Sequence, residues 1–207
     1  MEFQYYGGNC IKISTKQATF IIDDNLKQLG SKSVTKPDSV ALFTTLPASN
    51  PDARLVITDP GEYEVSEVSI FGIAARSHMD EKDQKSATIY KLQYDDTRVC
   101  ILGHIYPSLT EDELEEIGTV DILIAPVGGN GYTLDGVGAL SVIKQIEPKL
   151  VIPTHFDDGD LKYEVPMQPL SEALKGLAME PKETVAKFKP KSTDYAENVQ
   201  LVVLERQ

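Results

Sequence analysis

The sequence predicts an α/β protein whose β-rich, sandwich-type core carries helices on its outside. Short apolar runs with strand character dominate the first half of the 207 residues, and strand–helix units follow in the second half. The composition, 41% apolar and 25% charged, is sufficient to bury a substantial core. We therefore expect one domain spanning residues 1–207, with a two-layer or sandwich-type arrangement.

Strands separated by turns are predicted throughout the first half. The segment Gly7-Gly8-Asn9 separates the first two runs, and two prolines in TTLPASNPDA, residues 44–53, exclude regular structure there. Residues 25–35 are polar and are predicted to form a loop. Strands are expected over residues 2–6, 10–14, 18–22, 39–43, 54–58, 63–65, 68–73, 88–93 and 99–102.

The second half alternates predicted helices and strands. Thr110 followed by Glu113 forms a capping box, and the neighbouring acidic residues suit the positive end of a helix that Gly118 ends. The acidity of this segment therefore needs no functional explanation. Further strands are expected over residues 122–127, 150–153 and 199–205, helices over 139–145 and 170–178, and a basic connector over 181–191.

The charge balance disfavours nucleic-acid partners. The chain has 20 Lys and Arg against 32 Asp and Glu, a net charge of −12, and no basic cluster large enough to reverse that field. Because phosphate contacts depend on positive charge, DNA or RNA would have to bind against electrostatic repulsion. We expect no nucleic-acid partner.

The cysteines and the hydropathy pattern indicate a cytoplasmic protein. Cys10 and Cys100 lie in apolar strand-like runs rather than in a spaced framework, so we expect both to be small buried hydrophobes. The sequence shows no N-terminal signal segment and no apolar run near the roughly 18 residues that a membrane helix needs. We therefore expect no membrane contact.

Three histidines are the first candidates for chemistry. His78, His104 and His155 each lie in a loop or directly after an apolar strand, and the strand before His104 ends at Gly103. Imidazole is the commonest neutral metal ligand, so three converging histidines would suit a zinc ion. Their wide separation means that spacing cannot establish convergence, and three unrelated histidines remain the alternative.

Other polar segments have structural explanations beside functional ones. The glycine-rich residues 128–138 precede a helix and could cradle a phosphate, but they lack the Walker lysine and the GxGxxG spacing, which favours a structural turn. Asp23 and Asp24 end a strand and could be ligands or bases, or could hydrogen-bond the adjoining turn. No serine lies in a GxSxG elbow, so nucleophilic catalysis is unsupported.

The order of motifs resembles the metallo-β-lactamase superfamily, and within it the small bacterial branch of zinc-dependent hydrolases related to ascorbate-6-phosphate lactonases. The resemblance implies a four-layer αββα sandwich with a metal site at one rim of the two sheets. The motifs that carry it are YYGGNCIKI, FIIDD, VITDPGEYEV, RVCILGH, LTEDELEEIGTVDILIAPVGG, YTLD, KLVIPTHF and VQLVVLE.

The resemblance also assigns roles to individual positions. His78 and His155 match histidine ligands, Asp23 matches a usually structural aspartate, and His104 stands where an aspartate normally bridges two metal ions. The HxHxDH motif expected after residues 39–43 is replaced by TTLPASN, which offers no imidazole or carboxylate. A dinuclear zinc site of the family type therefore cannot form.

Two functional hypotheses follow, with a weaker third. The first is a pseudoenzyme with a degenerate metal site, acting as a binding or interaction module for a small molecule or a protein. The second is a hydrolase of an ester, lactone or phosphoester, with one zinc or other divalent transition metal held by His78, His104 and His155 and with Asp80 or Asp157 as base. The third is a metal-free acid/base enzyme using His104 or His155. Relatives in this superfamily often form multimers, so a homo-oligomer is also an expectation.

Overall fold

The computed structural model describes residues 1–195 and 198–207, and within these residues the chain forms two β-sheets and three α-helices. The first sheet contains β1 (Glu2–Gly7), β2 (Cys10–Ser14), β3 (Thr19–Ile22), β4 (Val40–Leu42) and β5 (Leu55–Ile57), in that spatial order. The second contains β6 (Gly61–Val65), β7 (Val68–Ala75), β8 (Ala87–Tyr94), β9 (Thr97–Ile101), β10 (Ile122–Pro126), β11 (Leu150–Thr154), β12 (Glu183–Val185) and β13 (Gln200–Leu204). The helices are α1 (Glu111–Ile117), α2 (Gly136–Ile146) and α3 (Leu170–Leu177).

Strand direction in the second sheet decides which loops share an edge. Its spatial order is β12-β13-β11-β10-β9-β8-β7-β6. Strands β9, β10 and β11 are parallel neighbours, whereas β8 is antiparallel to both β7 and β9, so β7 runs in the same direction as β9. β10 and β11 are buried along their whole length, as expected for central parallel strands covered on both faces.

The main hydrophobic core includes buried residues of both sheets and of the helices, from Phe3 to Leu204. Helix α1 packs against β7, α2 against β10, and α3 against α2. The last contact is close: a Cβ on Gly136 would lie 2.3 Å from the carbonyl oxygen of Ala173, so only glycine fits there. The predicted sandwich with helices outside is confirmed.

A loop, not a helix, covers the other face of the small sheet. Cys10 and Ile21 form a second apolar cluster with Leu26, and Leu29 and Val34 of the same loop pack against it. In the described chain, residues 23–39 form turns and extended segments between β3 and β4. The outer layer on this side is therefore irregular.

The predicted elements exist, with two informative differences. Helix α2 starts at Gly136, earlier than the predicted residue 139, because the carboxylate of Asp135 accepts a hydrogen bond from the Gly138 N–H and caps the helix. Residues 181–191, predicted as a connector, contain strand β12, which pairs in parallel with β13. Pairing to a neighbouring strand is a tertiary effect that a short polar run does not reveal.

Several local predictions are confirmed. Thr110 and Glu113 form the expected capping box of α1, and both Cys10 and Cys100 are buried free thiols. Burial raises the pKa of both thiols. Among the described residues, the helices are all too short or too polar to span a bilayer.

Candidate functional site

The carboxyl ends of several strands bring the three histidines to one rim. β7 and β9 run in the same direction and β10 and β11 are parallel to β9, so the loops that follow these strands emerge at the same edge. These loops carry His78, His104, the glycine-rich segment and His155 respectively. The sheet order therefore supplies the convergence that sequence spacing could not establish.

His104 and His155 form a close pair. Their ring centroids lie 4.7 Å apart at an interplanar angle of 84°, an edge-to-face contact. His155 is buried, adopts a left-handed backbone conformation with φ of 58°, and its N–H donates to the Gly8 carbonyl oxygen at 2.7 Å. This bond ties the tip of β11 to the turn between β1 and β2.

Tyr132 covers the His104 side of the pair. Its ring lies edge-on to His104 at a centroid distance of 4.8 Å, and its carbonyl oxygen lies 3.3 Å from Nδ1 of His104. Because a carbonyl can only accept, Nδ1 of His104 carries the proton in this contact and the neutral ring keeps a lone pair on Nε2. The pKa of His104 is lowered to about 4, chiefly by burial of the ring; the hydrogen bond to the Tyr132 carbonyl partly opposes this lowering, and nearby His78 adds to it.

The second imidazole is neutral for a related reason. Burial of His155 and, to a smaller extent, the neighbouring His104 together lower its pKa to about 3. Nδ1 of His155 is buried and has no hydrogen-bond partner among the described residues. The rim thus presents two uncharged imidazoles at neutral pH.

His78 belongs to the same rim but to a different cavity. Its backbone N–H donates to the His104 carbonyl oxygen at 2.8 Å, while its ring packs near Tyr106 with centroids 6.2 Å apart. The ring lines a cavity of about 150 Å³ together with Thr133 and Asp135. His104 and His155 instead line a neighbouring cavity of about 120 Å³, whose lining does not include His78.

Asn9 is the site residue that sequence reasoning missed. It lines the 120 Å³ cavity beside the histidine pair, and only 8% of it is exposed. The Thr154 hydroxyl donates to Asn9 Oδ1 at 3.0 Å, whereas Asn9 Nδ2 is buried without a partner in the described part of the chain. In the sequence, Asn9 is recognisable only as part of the predicted Gly7-Gly8-Asn9 turn, and a turn motif does not indicate which part of the protein the turn contacts.

The TTLPASN loop is fixed to the small sheet through Asp23. Its carboxylate accepts hydrogen bonds from the Thr44 N–H at 2.7 Å and from the Thr44 hydroxyl at 2.6 Å. Burial raises the pKa of Asp23 to about 6, and the two bonds from Thr44 oppose that rise. Asp24 likewise accepts four bonds, from Ser33, Val34 and Thr35. For both aspartates, the structure shows the hydrogen-bonded alternative.

Asp80 and Asp157, the candidate bases, organise their own loops. The Asp80 carboxylate accepts from the N–H groups of Ser77 and Ser86 and from the Ser86 hydroxyl, and its pKa is lowered because these bonds outweigh desolvation. Asp157 Oδ1 accepts from the Gly159 N–H at 2.9 Å. Neither residue lines the cavity of the histidine pair or that of His78, so their role as bases stays a prediction without geometric support.

The glycine-rich segment serves packing. A Cβ on Gly128 would lie 2.1 Å from the His155 carbonyl oxygen, so glycine lets the loop pass against the backbone that directly follows β11. The Gly129 N–H donates to the Leu134 carbonyl oxygen at 2.9 Å, which closes the turn before α2. The structural-turn alternative therefore accounts for these residues.

The donor set does not fit the metal centre that the resemblance implies. Within residues 1–195 and 198–207, no group of three or more His, Cys, Asp or Glu side chains is arranged to hold a metal ion. TTLPASN supplies no imidazole or carboxylate ligand. A single ion on His78, His104 and His155 stays a prediction that would require these rings to move.

Comparison with known proteins identifies the fold family. A model of the beta-lactamase superfamily domain matches residues 2–155. A UPF0173 metal-dependent hydrolase of Carboxydothermus hydrogenoformans is 46% identical over 44 residues, covering 21% of this chain and 19% of that protein. One of Salinibacter ruber is 35% identical over 68 residues, covering 33% and 30%. The matched segments span only a minor part of these curated relatives.

Solved structures extend the likeness over the whole chain. A proposed Zn-dependent hydrolase of the metallo-beta-lactamase superfamily from Thermotoga maritima aligns with a TM-score of 0.74 and 23% identity, covering 99% of this chain and 98% of that one. Igni18, a metallo hydrolase from Ignicoccus hospitalis, aligns with a TM-score of 0.58 and 16% identity, covering 92% and 99%. At these identities the likeness shows the fold, and the expected metallo-β-lactamase-type sandwich is confirmed.

Proposed function

Because the chain belongs to the beta-lactamase superfamily, we propose that it keeps the sandwich of that family but has a degenerate metal site, and that it acts as a metal-free binding module, catalytically weak or inactive. The observation that supports this most is the donor set: TTLPASN supplies no imidazole or carboxylate, and no group of three or more His, Cys, Asp or Glu side chains among the described residues is arranged to hold a metal ion. Thr44, the first residue of the TTLPASN loop that replaces the ligand motif, donates hydrogen bonds of 2.7 and 2.6 Å to the Asp23 carboxylate.

The geometry of the rim supports a small molecule as the partner. The cavity beside His104 and His155 is about 120 Å³, and its lining combines polar side chains such as Asn9 with apolar ones such as Met167. The two buried free thiols further support a reducing, cytoplasmic setting.

Metal content tests the proposal directly. The protein is expressed in medium supplemented with zinc, manganese, iron and nickel, and then analysed by elemental mass spectrometry and thermal unfolding with and without chelator. We expect far less than one metal ion per chain and an unchanged melting temperature. Stoichiometric metal whose removal lowers the melting temperature would overturn the proposal.

A metal-dependent hydrolase is the second candidate. It is favoured by one observation, the buried unpartnered Nδ1 atoms of His78 and His155 at the same rim, and by the similarity to relatives named as metal-dependent hydrolases. On this alternative, one divalent ion is held by His78, His104 and His155, and the substrate is an ester, lactone or phosphoester. Its test is the metal content of His104→Ala, which should fall below that of the parent protein while Asn50→Ala retains it.

A further inference from the structure

Residues 157–168, the covering loop, form one wall of the cavity beside the histidine pair. The ends of the loop are joined, since the Asp157 N–H donates to the Gln168 carbonyl oxygen at 2.9 Å. Its second half is also held by Asn130, whose side-chain amide donates to the Pro166 carbonyl oxygen. The residues of the loop that line the cavity are Tyr163, Glu164, Val165 and Met167.

The first half of the covering loop, residues 158–163, meets the rest of the cavity wall through two hydrogen bonds. The Gly8 N–H donates to the Tyr163 hydroxyl at 3.2 Å, and the Tyr163 ring lies 5.2 Å from the His155 ring. The Lys162 N–H donates to the carbonyl oxygen of Leu29, another residue that lines the cavity, at 3.0 Å. Both bonds must break before residues 158–163 can move away from the cavity.

One guanidinium group holds the same residues by charge. Arg206 forms ion pairs through Nε with Asp158 and through Nη2 with Asp160. The Arg206 and Asp158 side chains are 24% and 16% exposed, so water shields this pair only partly. Because a guanidinium presents its N–H groups in a rigid fork, a single arginine can hold two carboxylates. Without that cation, Asp157, Asp158 and Asp160 would repel one another on a chain of net charge −12.

Arg206 is itself fixed to the small sheet. The N–H of the next residue, Gln207, donates to the Tyr5 carbonyl oxygen on β1 at 2.9 Å. A Cβ on Gly7 would overlap Leu161 of the covering loop and would lie 3.0 Å from Cδ of Arg206. The absence of a side chain at Gly7 therefore lets the arginine and the loop pack together against the end of β1.

We propose that residues 158–163 are the entrance of the cavity and that Arg206 is a positioning residue that holds this entrance closed. A ligand reaches the histidine pair when the ion pairs to Asp158 and Asp160 are released. This control of access rests on the proposed binding function, because it takes the cavity as the binding site. The movement of the loop is measurable without any ligand.

Hydrogen exchange of backbone amides tests the role of Arg206. Arg206→Met removes the charge but keeps a long side chain, and it should speed exchange of the Lys162 and Gly8 amides by about tenfold or more. The Asp121 amide, hydrogen-bonded at the start of β10, reports on the remainder of the fold and should change by less than about twofold. Arg54→Met, an exposed position outside the covering loop, is the matched control and should leave all three rates unchanged.

Salt distinguishes an electrostatic clamp from packing alone. Leu161 also packs in the second apolar cluster, and screening does not weaken that contact. Raising NaCl from about 0.1 to 1 M shortens the Debye length from about 10 to 3 Å. In the parent protein this should speed Lys162 exchange several-fold relative to Asp121, whereas Arg206→Met should show little salt dependence. Arg206→Lys keeps the charge and should retain part of both effects.

Access to the cavity is measured separately by chemical modification. Diethyl pyrocarbonate acylates neutral imidazole, and peptide mass spectrometry reports the rate at each histidine. Arg206→Met should speed modification of the buried His155 several-fold, while His78, which lines the other cavity, serves as the internal control and should keep its rate.

The outcomes separate the two proposals. Unchanged Lys162 and Gly8 exchange in Arg206→Met, or equal acceleration at Asp121, overturns the role of Arg206, and so does a parent protein whose exchange ignores salt. Faster exchange with unchanged His155 modification overturns the entrance. These results leave the metal-free binding module standing, whereas stoichiometric metal whose removal lowers the melting temperature overturns the proposed function itself. If Arg206→Met fails to fold, the salt dependence of the parent protein decides.

Discussion

The carboxylate of Asp23 accepts two hydrogen bonds from one residue, the N–H of Thr44 at 2.7 Å and its hydroxyl at 2.6 Å. The two residues lie just beyond the ends of neighbouring parallel strands, β3 and β4, and both are buried. This contact sets the path of the TTLPASN loop at the rim. The two hydrogen bonds therefore hold the start of the loop against the end of β3 in the small sheet.

Thr44→Val should destabilise the protein by about 1–3 kcal/mol, because it leaves a buried carboxylate oxygen without its donor while conserving side-chain volume. Chemical denaturation measures the change in unfolding free energy. Thr45→Val, at the next and half-buried position, is the control and should change it by less than about 0.5 kcal/mol. Equal effects of the two substitutions would contradict the assigned role of the pair.

Asp23→Asn should alter the pH dependence of stability. Burial raises the pKa of Asp23 from 3.8 to about 6 in the folded protein. Between these values the folded state holds a proton that the unfolded state has released, so the free energy of unfolding falls as pH rises, by up to about 3 kcal/mol in total.

The asparagine variant lacks this titration, so its stability relative to the parent protein should increase as pH rises from about 4 to 7. Urea unfolding of both proteins across that range measures the difference. The histidine pair titrates in both proteins and cancels from the comparison. Parallel stability curves would show that the Asp23 carboxyl is not perturbed.

Gly103→Ala should be strongly destabilising at the rim. A Cβ there would lie 2.2 Å from Thr44 Oγ1, and φ is 62°, in the left-handed region. Gly159→Ala separates the two causes, since φ is 84° there and nothing lies within 4 Å of the added Cβ. We expect about 1 kcal/mol for Gly159→Ala and an additional 1–3 kcal/mol, roughly, for Gly103→Ala. Similar losses from both would exclude the steric contact.

Tyr132→Ala should raise the pKa of His104. The tyrosine ring packs edge-on against His104 at 4.8 Å and helps to desolvate it, while the backbone carbonyl that contacts Nδ1 remains in the variant. The pKa should move from about 4 towards the ordinary 6.5. NMR titration of the His104 ring measures it, with Tyr63→Ala on β6 as the control. An unchanged pKa would show that Tyr132 does not cover the pair.

Much of the fold was accessible from local patterns. The capping box of Thr110 and Glu113 and the apolar runs that became β9, β10 and β11 each depend on residues close in sequence, so periodicity and turn chemistry predicted them. Strand β12 could not be predicted from the sequence, because this short polar run forms a strand only through pairing with β13.

The sequence by itself determined which donors exist: three histidines, each at or just beyond a strand end, and a TTLPASN loop with no metal ligand. Only the tertiary structure decided how they are used. It paired His104 with His155, placed His78 in another cavity, engaged Asp23 with Thr44 and left Asn9 Nδ2 unsatisfied. The physical reason is that residue identity fixes the chemistry of each donor, whereas distances between loops follow from strand order, direction and register across two sheets.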